Sequence, residues 1–188
     1  MTANELIKIL LSDKPSENII DNEEEIFSLI PELKICKGFN QNNEWHVYDV
    51  YNHILHVVDN VPSDVILRLT ALFHDIGKPF TYTEDKNGVG HFYGHWEKSK
   101  KIFDDFAMRN NIDSYTSNLV SKLIYFHDLD VSTLENQEEI LSNFNKDEII
   151  MLYDLKKADL LAQNRKFHYI LDDYEKQKVK ILSMYDYK

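Results

Sequence analysis

The chain has 188 residues with 5 Gly, 4 Pro and one Cys, and 32 acidic against 21 basic residues give a formal net charge of −11. This is enough for one well-packed domain and short for two, and the scarcity of Gly and Pro excludes a loop-rich or all-β chain. The lone Cys36 excludes an internal disulfide and fits a reducing compartment, while the acidic balance argues against a protein that grips nucleic acid mainly through its phosphates.

The opening residues MTANELIKIL lack an apolar run followed by a small-residue cleavage site. No apolar stretch is long enough to span a membrane, so the expected location is cytoplasmic, with no membrane partner. In chain order, helices are expected over residues 4–11 and 16–29, the second with Ser16 as N-cap and Pro31 beyond its end. Residues 36–46, CKGFNQNNEWH, read as a polar connector containing Gly38. Asp49 caps a helix VYNHILHVVDN, whose Val50, Ile54, Val57 and Val58, with Val61 just after it, form an apolar stripe, and Pro62 ends it. Ser63 is expected to cap the next helix, DVILRLTALFHD, which is apolar nearly all round apart from Arg68 and Thr70 and so belongs in the middle of a domain.

Residues 77–94 form the one conspicuous loop, with Gly88, Gly90 and room for a short hairpin in FTYTEDKNGVGHFY. Further helices are expected over residues 95–109, 114–126, 133–143, 147–163 and 167–184, with Asn145 as N-cap before Asp147 and Glu148. Lysines group at residues 98–101, at Lys156–Lys157 and at residues 176–180. They read as solvated helix faces, with a local phosphate-attracting patch as the alternative. The pattern predicts an all-α fold in a single domain of roughly eight or nine helices.

Four polar residues sit on or beside apolar stripes. His53 lies between Val50 and Val57, His74 and Asp75 close the most apolar helix, and Asp159 shares a face with Leu152, Leu155 and Ala162. A buried carboxylate without a partner costs several kcal/mol or takes up a proton. Asp75 also meets the negative end of its helix dipole, worth roughly 0.3–1 kcal/mol against it. A divalent cation resolves both problems, and two imidazoles with two carboxylates suit Mn, Fe, Co, Ni, Zn or Mg. Each residue taken alone has a duller explanation as a core histidine, a cap or an ion-pair partner.

The set His53, His74–Asp75 and Asp159, with the string HDIGKP, resembles the signature of HD-domain metal-dependent phosphohydrolases. Residues 31–164 are similar, more narrowly, to the HD segment of bacterial tRNA nucleotidyltransferase and poly(A) polymerase-type proteins. No Gly-Ser motif with paired carboxylates, as in the head of those enzymes, stands in the 188 residues, so nucleotide addition is not expected. The resemblance implies a compact HD-domain helical bundle: a helical extension over residues 1–30, the HD core over 31–164 and a C-terminal helix over 165–188. It also implies one or two divalent ions per chain. His95 and His127 are the candidates for a second ion, bridged to the first by Asp75, with Asp128 and His91 as further candidates.

The resemblance further implies phosphoester hydrolysis on a nucleotide, a cyclic nucleotide or an RNA-end phosphate. Asp75, Lys78, His95 and His127 would be the catalytic residues, and Gly77 would turn Lys78 back toward the site as a helix C-cap. Glu97 is read as orienting His95 or as a first-turn acid, and His56 as packing. Two alternatives stay open: a non-catalytic nucleotide- or RNA-binding module, and a di-iron oxygenase. The expected partner is a small phosphorylated substrate, and the oligomeric state, a homodimer included, is left open.

Overall fold

The computed structural model describes residues 1–185; residues 186–188, at the end of the expected C-terminal segment, lie outside the described residues. The chain is all-α, as expected. Thr2 and Glu5 form a reciprocal capping box that starts α1 (Ala3–Leu10). The helix expected over residues 16–29 is two helices, α2 (Pro15–Asp21) and α3 (Glu23–Leu29). They part at Asn22, whose side-chain amide donates to the Asn18 carbonyl at 2.8 Å, competing with the backbone ladder.

Ser16 is not the N-cap of α2. Lys14 holds that position, and Pro15, with its preset φ and no N–H to lose, occupies the first turn. Ser16 instead donates its hydroxyl to Asp59 at 2.6 Å, tying α2 to the helix that carries His53. Pro31 likewise starts a helix rather than following one: α4 (Pro31–Cys36).

Asp49 caps α5 (Val50–Asn60), accepting from the Asn52 N–H at 2.7 Å. The cap of α6 (Val65–Phe73) is Asp64 and not Ser63, because only the Asp64 carboxylate reaches the N–H groups of Ile66 and Leu67, at 2.8 and 3.1 Å. A 3₁₀ turn (Lys78–Phe80) and a two-stranded antiparallel hairpin follow. The hairpin pairs β1 (Thr83–Glu84) with β2 (Gly90–His91). Gly94, at φ 77°, swings the chain into α7 (His95–Arg109).

The remaining helices are α8 (Ser114–Phe126), α9 (Leu134–Asn143), α10 (Lys146–Leu161) and, after a 3₁₀ stretch (Arg165–Ile170), α11 (Leu171–Tyr185). Asn145 caps α10 in a capping box with Glu148. The described residues therefore hold eleven α-helices. The surplus over the expected number comes from the break at Asn22 and from α4. None of these helices is long and apolar enough to cross a membrane.

The hydrophobic stripe of α5 and the nearly all-apolar α6 pack together, and α6 touches α1, α5, α7, α8 and α10. Every residue of α6 from Leu67 to Phe73 is buried, which is the interior position that its composition called for. Phe73 closes the helix against Phe103 and Phe106 of α7, at ring centroid distances of 5.2 and 5.0 Å. These contacts fix α7 relative to the residues that follow Phe73. A second cluster, including Leu123, Ile149, Leu152 and Ile181, joins α8, α10 and α11.

Replacing Phe73 by Ala removes a fully buried ring and should cost about 3–5 kcal/mol of stability, read as a lower urea midpoint at unchanged m. A loss below about 1 kcal/mol would mean that the aromatic cluster does not hold α6 and α7 together.

Candidate metal centre

Three of the imidazoles sit at helix ends. His74 is the C-cap of α6, His127 is the C-cap of α8, and His95 is the first residue of α7. Each ring is set by one device: its Nδ1 donates to the carbonyl three residues earlier. The partners are Ala71 at 2.8 Å, Ile124 at 2.6 Å and Phe92 at 2.9 Å. A carbonyl only accepts, so each Nδ1 carries a proton, and in the neutral ring Nε2 presents a lone pair. His53 comes from the buried face of α5; its Nδ1 is buried without a partner.

The Nε2 atoms converge on Asp75. Its Oδ2 lies 3.2 Å from His53 and 3.3 Å from His74, and its Oδ1 lies 3.2 Å from His95 and 3.6 Å from His127. Asp159 Oδ1 reaches His53 at 3.0 Å. Among the described residues, two groups bring their donor atoms within 4.8 Å of one another: His53, His74 and Asp159, and Asp75, His95 and His127. Asp75 stands between them with one oxygen toward each.

The second group has a marked chemical character. His95 Nε2 and His127 Nε2 are 3.2 Å apart, beside Asp75 Oδ1. Three acceptors face one another there, and only a cation, a proton or a metal, makes that arrangement favourable. Burial pushes the His127 imidazolium below its ordinary pKa and the pull of Asp75 does not recover it, so the His127 Nε2 lone pair is open to a metal. In the first group a proton does the same work. Burial pushes His53 down, but hydrogen bonds to Asp159 and Asp75 outweigh it and raise its pKa to about 9. A metal entering that group would displace this proton. The mixed nitrogen and oxygen donors fit a divalent transition ion in both places.

The sequence model of the HD domain matches residues 44–164, well over half of the chain. The chain belongs to the HD domain family. The family is a superfamily of metal-dependent phosphohydrolases, some members of which are non-catalytic. A curated relative, the A-adding tRNA nucleotidyltransferase of Deinococcus radiodurans, is 33% identical over 72 residues. That match takes in 35% of this chain and 16% of the relative, so the chain spans about one-sixth of that protein's length.

The remaining candidates of this HD domain separate cleanly. His91 stays on the hairpin, 3.7 Å from Asp85 and outside both groups, because β2 pairs it away from the helix ends. Asp128 follows His127 but is exposed and outside both groups. Glu97 is exposed in the first turn of α7, and the Phe92 carbonyl, not Glu97, orients His95. His56 is exposed with its ring against Tyr48.

Lys78 does return to the site. Its Nζ lies 2.6 Å from Asp75 Oδ2, donates to Gln41 Oε1 at 2.9 Å and lies 3.3 Å from His46 Nε2. These three partners take all three ammonium protons. Burial pushes the Asp75 carboxyl up, but Lys78 and the imidazoles His74, His127 and His53 hold it well below its ordinary range. Gln41 and His46 were not among the expected site residues, since the connector that carries them has no periodicity. The only hint was a histidine beside Trp45 in a polar segment. Burial and the Lys78 charge keep His46 neutral, and its ring stands edge-on to His53.

The expected role of Gly77 changes. Its φ of −77° is ordinary, so it is no left-handed C-cap. Instead a Cβ there would lie 2.5 Å from the His95 carbonyl oxygen and 2.6 Å from the Ser99 nitrogen. The bare Gly77 lets the first turn of α7 dock, and its N–H donates to Ser99 Oγ at 2.9 Å. Lys156 also departs from expectation: it is buried, with burial lowering its pKa to about 8 against the pull of Asp128, Asp159 and Asp130, whereas Lys157 is exposed. A cavity of about 520 Å³ opens over the cluster, with Asp75, His95, His127 and Asp159 in its lining and Trp45, Tyr93 and Tyr174 among its aromatic walls.

Substituting Gly77→Ala should push α7 off the Asp75 turn, lower the thermal midpoint and weaken metal uptake. Gly88→Ala, on the hairpin with nothing near its Cβ, should leave uptake unchanged. Equal metal binding by the two variants would refute this account of Gly77.

Proposed function

We propose that the chain hydrolyses a phosphoester of a nucleotide, a cyclic nucleotide or an RNA end, with one or two divalent ions as cofactor. The observation that carries this reading is Asp75, whose two oxygens each face a separate pair of imidazole Nε2 atoms. His53, His74, Asp75 and Asp159 would hold one ion, and Asp75, His95 and His127 a second. When bound, a divalent cation polarises the phosphoryl group and lowers the pKa of water enough to supply a nucleophile near neutral pH.

The protein groups have their own tasks. Lys78 and the imidazoles keep Asp75 ionised, so that it is ready to hold positive charge at either oxygen. Lys78 acts here through Asp75, since its three N–H bonds already have protein partners. His95 and His127, whose Nε2 atoms stand beside Asp75 Oδ1, would serve by holding the ion that neutralises the developing charge. The aromatic walls offer faces for a base to stack on, and the cavity volume is in the range of a small-molecule site.

The net charge of −11 weighs against long RNA and in favour of a mononucleotide or a single RNA terminus. The similarity to part of a tRNA nucleotidyltransferase leans the same way. The nitrogen-rich donor set also suits a pair of irons, and this favours dioxygen activation as the second reading.

Changing Asp75→Ala should remove bound metal and reduce hydrolysis of bis(p-nitrophenyl) phosphate and of a nucleotide panel to background. Retained hydrolysis in the metal-free variant would overturn the proposal. Turnover that requires O₂ and iron in the unaltered protein would replace it with the second reading.

A further inference from the structure

One buried charge takes no part in the reading above. Lys156 is 5% exposed and lies on α10, three residues before Asp159. Its Nζ donates to the carbonyl oxygens of His127 at 2.6 Å and of Leu129 at 2.8 Å. His127 is the C-cap of α8, where the last C=O groups lack intrahelical partners and the dipole concentrates negative charge, and Leu129 lies two residues beyond that cap. A buried ammonium is costly unless it is hydrogen-bonded and balanced, and here two backbone oxygens and the nearby Asp128, Asp130 and Asp159 do both.

The consequence falls on His127. Its bond to the Ile124 carbonyl sets the ring's tautomer and rotation but not the position of the helix end that carries it. That position decides whether Nε2 stays 3.2 Å from His95 Nε2, which is anchored on another helix. The clamp on the helix end comes from α10, which also supplies Asp159 to the other half of the cluster.

We propose that Lys156 is the positioning residue for His127, locking the end of α8 to α10 so that the Asp75–His95–His127 half of the centre can close on a cation. This inference rests on the metal reading above. It separates the two halves: loss of Lys156 should affect one ion and spare the other.

The test compares unaltered protein with Lys156→Met, which keeps the side-chain volume and removes the charge. Bound Mn²⁺ and Co²⁺ are counted by elemental analysis, and each affinity is measured by calorimetry alongside the thermal midpoint. The unaltered protein should take two ions, and K156M should keep one at unchanged affinity while the other weakens by roughly 10–100-fold. Two ions held by K156M at unaltered affinity would overturn the inference and leave the metal reading standing. Equal weakening of both ions would make Lys156 a general stabiliser and also overturn it. No metal in the unaltered protein would overturn the metal reading and this inference together. If K156M does not fold, K156A folded with propylamine carries the comparison: dialysing the amine away should release one ion, and retention of both would overturn the inference.

Discussion

Asp75 is 2% exposed and follows the C-terminus of a helix, so burial and the dipole of α6 both oppose its charge. The ammonium of Lys78 and the imidazoles of His74, His127 and His53 reverse that balance. The carboxylate thereby becomes a fixed negative point in the interior on which five side chains converge. Without that charge the Nε2 atoms of His95 and His127 would face each other with nothing to organise a cation between them. The centre is a product of this one ionised group, and the fold is the means of keeping it ionised.

The means are mostly helix ends. A helix terminus leaves backbone carbonyls unpaired, and a histidine placed there can use one of them to orient its own ring. His74 and His127 do so at helix C-termini, while His95, at the start of α7, uses the Phe92 carbonyl of the turn before it. α6, buried through most of its length, brings one such end to the middle of the domain, and the aromatic contacts of Phe73 bring α7 beside it. Gly77 then admits the first turn of α7 at a distance that no side chain would allow. Short-range geometry and long-range packing meet at the Asp75 turn.

Much of this was legible in the sequence. The stripe of α5, the apolar length of α6 and the caps Asp49 and Asn145 follow from periodicity and local hydrogen bonding, which are properties of neighbouring residues. The caps that went astray were decided by reach. Ser63 and Asp64 are both good caps by type, and only the Asp64 carboxylate meets the free N–H groups. Proline misled in the other direction: Pro15 and Pro31 start helices, and a reading that treats proline as a stop misses α4, while the break between α2 and α3 falls at Asn22, where no proline stands. Gln41 and His46 lie in a segment with no period at all, and their place beside Lys78 depends on how a polar connector folds back over α5.

By itself, the sequence determined the helical class, the central burial of α6 and the candidate donors, because apolar spacing and the cost of a buried charge can be read one helix at a time. Only the tertiary structure decided which donors meet. His95 and His127 come together while His91 and Asp128 do not, although all four lie in the same stretch of chain. Lys156 is drawn inside while Lys157, its neighbour, remains in solvent. The reason is that a metal centre requires atoms within a few ångströms of one another, and that proximity belongs to the placement of helix ends, which no single helix encodes.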